Sequence, residues 1–165
     1  MSEGAALESI RIDERTWEGG SEARRLEWMA AIRELLDPGE AMVHPELKRL
    51  VITMTQQAFT LEGFTSAGPL ADVEITHDGL ESLIHEYVDT VREIARADRS
   101  GGVKRLEALD MAKKVTHDKA GRFLERRCRP FQFDHPTARR LFTLLLGLRV
   151  DTTRLVGVHG HRRVR

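Results

Sequence analysis

The chain is predicted to be α+β, with a small antiparallel sheet of three or four strands packed against helices and a helical carboxy-terminal half. Three observations carry that expectation. Apolar residues alternate with polar ones in short runs before residue 77, apolar residues recur every three or four positions after residue 79, and the connections between the later strands are short. Alternation with period two puts one face of a strand in a core, while a period near 3.6 does the same for a helix.

In the first half, Ile10 and Ile12 alternate with Ser9, Arg11 and Asp13, which predicts a half-buried strand. Ser21 is a candidate N-cap, and Leu26, Met29, Ile32 and Leu36 then recur at helical spacing until Asp37-Pro38-Gly39, so a first helix is expected over 21–37. Leu50, Ile52 and Met54, then Phe59 and Leu61, then Ala71, Val73 and Ile75 alternate with polar neighbours and define three strands. Only Thr55-Gln56-Gln57 separates the first two, and a stretch holding Gly63, Gly68 and Pro69 separates the last two. Connections this short cannot hold a crossover, so they favour an antiparallel meander.

From Leu80 the period changes. Leu80, Leu83, Ile84, Tyr87, Val88, Val91, Ile94 and Ala95 form a long apolar stripe with Asp78 as candidate N-cap. Ser100-Gly101-Gly102 breaks it. Val103, Leu106, Leu109, Ala112 and Val115 mark another helix, Phe123 and Leu124 a further piece after Gly121, and Phe131 to Phe133 a short extended stretch. The final helix is entered through Asp134 or His135 with Pro136 in its first turn. Its apolar residues, from Leu141 to Leu148, cover almost every side, as in a buried helix. Residues 1–155 read as one domain and 156–165 as a basic tail, either disordered or an extended arm.

Composition bounds the function. The 165 residues suffice for one core, and 26 Lys+Arg balance 26 Asp+Glu. The balance holds only in total: residues 1–97 carry 9 Lys+Arg and 19 Asp+Glu, and residues 98–165 carry 17 and 7. Such halves either neutralise each other within the fold or leave a basic face for an acidic partner, whether protein or nucleic acid. No apolar run is long enough for a membrane span and no signal peptide opens the chain, so no membrane association and a cytoplasmic location are expected. One cysteine forms no internal disulfide. Phosphate-loop, dinucleotide, zinc-protease and serine-hydrolase motifs are absent, and no cofactor or metal is expected.

Two runs, Leu106-Glu-Ala-Leu-Asp-Met-Ala-Lys-Lys-Val-Thr-His-Asp-Lys-Ala-Gly121 and the more specific Asp134-His-Pro-Thr-Ala-Arg-Arg-Leu-Phe-Thr-Leu-Leu, resemble the bacterial uncharacterised protein family 0262. The resemblance covers residues 80–148 well and continues upstream as a similarity in element order. It implies a small strand-containing part followed by helices, with the second run as the closing helix. Where the family tends to have Gly-Arg-Arg-Gly-Leu-His-Asn, this chain has Ala112-Lys-Lys-Val-Thr-His117-Asp118. The charges and the histidine persist while the glycines do not. The resemblance implies no activity, because the family carries no established reaction.

Several residues are candidates for chemistry. Asp110, Lys113, Lys114 and His117 fall at helical spacing and would share one face, able to bind phosphate and move a proton, or else to form an ordinary solvated face with short-range ion pairs. Arg139 and Arg140 lie near a helix N-terminus that already carries partial positive charge. They call for a negative group, which is Asp134, an acidic residue of the first half, or a bound anion. Cys128 sits among Arg126, Arg127 and Arg129, which favour the thiolate, but no nucleophile signature surrounds it and it reads as a lone thiol. His159 and His161 could share a metal only with further ligands that the sequence does not mark.

The leading expectation is a non-enzymatic binding or regulatory module whose basic carboxy-terminal half engages an acidic partner. The alternative is a small enzyme acting on a phosphorylated or anionic metabolite, with His117 as acid/base, Asp110 as a second catalytic candidate, and Lys113, Lys114, Arg139 and Arg140 as anion ligands. A third reading is a homo-oligomer in which the acidic half of one chain meets the basic half of the next.

Overall fold

A computed structural model describes residues 7–37, 42–100 and 102–155. The tail, with His159 and His161, lies outside them.

Strands β1 (Ser9–Ile12), β2 (Arg49–Met54), β3 (Ala58–Phe64) and β4 (Pro69–Thr76) form one sheet in the order β1-β2-β3-β4. β2, β3 and β4 are the expected antiparallel meander. β1 differs: it pairs parallel with β2, in the register Ile10↔Leu50 and Ile12↔Ile52, so the sheet is mixed. The reason is the connection, since helices α1 (Glu14–Glu18) and α2 (Glu22–Leu35) lie between β1 and β2 and give the chain the length to return to the starting end. Each meander turn is organised by a threonine. Thr55 Oγ1 accepts from the Gln57 and Ala58 amides, and Thr65 Oγ1 from those of Ala67 and Gly68.

Ile10, Ile12, Leu50, Ile52, Phe59, Leu61, Val73 and Ile75 are buried on one face of the sheet, where they join one apolar cluster with the helices. In α2 only half of the stripe read from the sequence, Ile32 and Leu36, packs against the core. Ser21 caps the helix as expected, but Trp28, Ala31 and Leu35 are the buried residues, while Leu26 and Met29 are 63% and 42% exposed. The indole decides the rotation: Trp28 buries its ring against Gly20, where a Cβ would come within 2.3 Å of it, and donates to Gly147 O at 2.8 Å.

α3 (His77–Ser100) leaves β4 without a loop. Thr76 rather than Asp78 serves its start, accepting from the Gly79 amide. The expected stripe of Leu80, Ile84, Tyr87, Val88, Val91 and Ile94 is buried. α4 (Val103–Arg127) is one helix of 25 residues and runs straight through Gly121, where the sequence suggested a break. That glycine permits a close approach instead: a Cβ there would meet Arg139 Cγ at 2.8 Å and His135 Cε1 at 3.0 Å. Residues 131–133 are not extended either. Arg129–Phe131 is a 3-10 turn closed by Gln132 at φ 53°.

α5 (His135–Arg149) begins as expected, with the Asp134 side chain accepting from the Thr137 amide and Pro136 in the first turn. It contacts α2 and α4, and α4 in turn contacts α3. Its last carbonyls, which lack intrahelical donors, are served by α2, where Arg24 Nη2 donates to Gly147 O and Leu148 O at 3.0 and 3.1 Å. A cation there also complements the negative end of the helix dipole.

Candidate functional site

The chemistry-bearing residues gather along α4, on two of its sides. The inner side meets α5 and α3. His117, one turn before Gly121, places its ring between Tyr87 of α3 and Phe142 of α5, with centroids 5.7 Å from each. Its Nε2 lies 3.0 Å from the Arg139 carbonyl, to which it donates, and 3.3 Å from Thr143 Oγ1. Nδ1 accepts from Arg139 Nη2 at 3.1 Å, which fixes the tautomer. Burial first, then the positive charges of Arg139 and Lys113, push the imidazole down to about 4, against the backbone hydrogen bond to Arg139 and the Asp118 carboxylate. The ring is therefore neutral at pH 7, and both of its nitrogens are engaged by α5. Tyr87 is likewise held neutral, since burial pushes its phenol up to about 12 against the charge of Arg139.

Arg139 is the centre of this inner cluster. Its Nε lies 3.3 Å from Asp118 Oδ1, so its counter-charge comes from the neighbouring helix, neither from Asp134, which caps the backbone, nor from the acidic first half. Desolvation is the largest single influence on the Asp118 carboxyl and would raise it, yet the hydrogen bond with His135 and the charges of Arg139, His135 and Arg122 together hold it below the usual carboxylate range. His135 extends the chain of contacts: Nε2 lies 3.4 Å from Asp118 Oδ1 and Nδ1 2.5 Å from Glu125 Oε2.

Of the four residues expected to share a face of α4, Asp110, Lys113 and His117 are half-buried and Lys114 is exposed. Arg140 is half-buried on α5. His117 and Arg139 meet directly, which is the proximity an anion-processing site needs, but the contact is spent on holding the two helices together. Sequence reasoning passed over Asp118, Glu125 and His135. The spacing of Asp118 and Glu125, seven apart on one helix, was available in the sequence; their meeting with His135 depends on how α5 crosses α4 at Gly121.

The outer side of α4 is different. Lys104, Ala108, Met111, Val115, Lys119, Arg122 and Arg126 recur at helical spacing and are all exposed, with Arg127 and Arg129 beside the end of the row. Several cations of the second half are neutralised by α3, Lys119 of this row among them: Arg105 meets Glu93 at 2.6 Å, Lys119 meets Glu86 at 3.1 Å and Arg149 meets Glu81 at 3.6 Å. Arg122, Arg126, Arg127 and Arg129 form no ion pair among the described residues. Cys128 beside them is buried, and burial pushes its thiol up to about 12 despite the charge of Arg127, the reverse of what its arginine neighbours suggest in sequence. Among the described residues no helix is long and apolar enough to cross a membrane.

A strand-containing part followed by helices is the architecture the resemblance implied; here it is a mixed four-stranded sheet and a helical half ending in a buried closing helix, an α+β protein whose distinctive surface is one cationic helix. The chain belongs to the uncharacterised protein family UPF0262, whose model matches residues 5–151 and so takes in the strands as well as the helices. A UPF0262 protein of Caulobacter vibrioides is 30% identical over 148 residues, covering 86% of this chain and 91% of that one. One from Phenylobacterium zucineum is 26% identical over 155 residues, with the same coverage. No solved structure matches the chain.

Proposed function

We propose that the protein is a non-enzymatic binding or regulatory module that engages an acidic partner through the outer face of α4. The observation that supports it is the set of exposed arginines, Arg122, Arg126, Arg127 and Arg129, outside any ion pair with described residues while α3 neutralises their neighbours. Guanidinium groups in a row suit carboxylates or phosphates, and Lys114 adds to the same surface. Lys113, Arg139 and Arg140 lie half-buried behind it.

Capture of partners by the full chain at low salt, with and without nuclease, tests this reading. Binding should fall steeply as salt rises, and Arg122→Glu with Arg126→Glu should abolish it at unchanged thermal stability. Nuclease sensitivity would identify the partner as nucleic acid. Binding indifferent to salt and to both substitutions would overturn the reading.

The enzyme alternative keeps one point in its favour, the contact between His117 and Arg139. A ring that is neutral and committed on both nitrogens fits positioning of Arg139 better than proton transfer to a substrate.

A further inference from the structure

Between residues 119 and 136 every exposed charged side chain is positive: Lys119, Arg122, Arg126, Arg127 and Arg129. The acids of the same stretch are half-buried and turned to other work, Glu125 against His135 and Asp134 on the first turn of α5. Asp118, one residue before the stretch, meets His135 and Arg139. With Lys119 held by Glu86, four guanidinium groups are left that form no ion pair with a described residue. The dipole of α4 accounts for Arg126 and Arg127, which stand in its last turn, but not for Arg122 a turn earlier or for Arg129 in the 3-10 turn beyond.

What surrounds the four narrows the choice of occupant. The other exposed residues of the stretch are Pro130, Gln132 and Pro136, and the exposed large apolar side chains of the described residues all lie elsewhere in the chain. A protein interface is centred on apolar and aromatic side chains, and a single nucleic-acid strand is held by stacking on aromatic rings; this stretch exposes neither. Duplex RNA is gripped partly through its 2′-hydroxyls, which call for neutral hydrogen-bonding groups, and Gln132 is the one such side chain exposed here. A DNA duplex asks only for cations, because its phosphates by themselves carry sequence-independent binding. About 6 Å of helix separates Arg122 from Arg126. Each DNA strand presents a phosphate about every 3.4 Å of axis, so the side chains reach separate phosphates.

We infer that the carboxy-terminal end of α4 docks on the phosphate backbone of double-stranded DNA through Arg122, Arg126, Arg127 and Arg129, without reading its sequence. This rests on the reading of α4 as a docking surface and names its partner.

Equilibrium binding of the full chain to a short labelled duplex, followed from low to high salt, tests the inference. The logarithm of the affinity should fall against that of the salt concentration with a slope of about −3.5, as for four neutralised phosphates, and alike for unrelated sequences. Arg122→Gln, Arg126→Gln, Arg127→Gln and Arg129→Gln should each flatten the slope by about one. All four together should remove binding while the far-ultraviolet circular dichroism stays that of the wild type. Arg33→Gln, the same change of charge at an exposed position of α2, should leave affinity and slope as they are. A slope near zero, or a fourfold variant that binds as the wild type does, overturns the inference. So does tighter binding to an RNA duplex or to single-stranded DNA than to the DNA duplex. Immobilised poly-glutamate separates this failure from that of the broader reading. A chain that ignores DNA but binds the acidic polymer through Arg122 and Arg126 loses only the choice of partner, whereas one that binds neither loses both.

Discussion

His117 shows how a residue type that suggests chemistry is turned to another use. With Nε2–H given to the Arg139 carbonyl and Nδ1 taking a guanidinium proton, it behaves as a polar clamp between α4 and α5. The folded ring binds its proton more weakly than the unfolded one, so its contribution is complete above the ordinary value of 6.5 and is lost as the pH falls toward about 4. The loss amounts to about 2–3 kcal/mol by linkage. Denaturant unfolding between pH 7 and pH 4 should show this decline, and His117→Gln should flatten it. An unchanged slope in the variant would remove the histidine from the account. Cys128 makes a second residue-scale case. Its buried, fully protonated thiol should stay inert to a disulfide reagent in the native protein and titrate as one equivalent after unfolding. Rapid native labelling would contradict its burial.

Among the elements, α4 carries the most. Its inner side holds α3 and α5 and its outer side is left to solvent, and Gly121 sets how closely α5 approaches. Gly121→Ala should gain about 1 kcal/mol of helix propensity and lose more, since the added Cβ drives apart Arg139 and His135 at an overpacking cost of about 1–3 kcal/mol. A lowered denaturant midpoint with unchanged m-value is expected, and a raised midpoint would mean the helices separate freely. In the sequence the same glycine suggested a helix break, because composition does not tell a tolerated glycine from a terminating one. The periodicity of α2 held only in part, for a related reason: Ile32 and Leu36 pack on the core and Leu26 and Met29 do not. Leu26, Met29, Ile32 and Leu36 form a valid apolar stripe, yet Trp28 offered more area and a hydrogen bond to the end of α5, and it took the core.

For the whole molecule, the apolar cluster runs without interruption from Leu7 through the sheet and helices to Leu148. We therefore expect a single cooperative transition on heating or in denaturant, with tryptophan fluorescence, which senses α1 and α2, and far-ultraviolet circular dichroism, dominated by α3 to α5, giving coincident midpoints. Separated midpoints would show that the α3–α4 hairpin melts independently.

What the sequence determined is whatever depends on local spacing. Periods of two and near 3.6 separated the meander from the long helices, Ser21 and Asp134 marked the helix starts where they stand, and the leucine-rich closing helix announced its own burial. The runs around Lys113 and Arg139 pointed to the family. Only the tertiary structure decided what depends on elements distant in sequence: the parallel pairing of β1, the rotation of α2, the Glu125–His135–Asp118–Arg139–His117 chain, and which cations α3 neutralises. Spacing along one helix or strand fixes which side chains share a face. Which face finds a partner is set by packing between segments, and no local pattern records it.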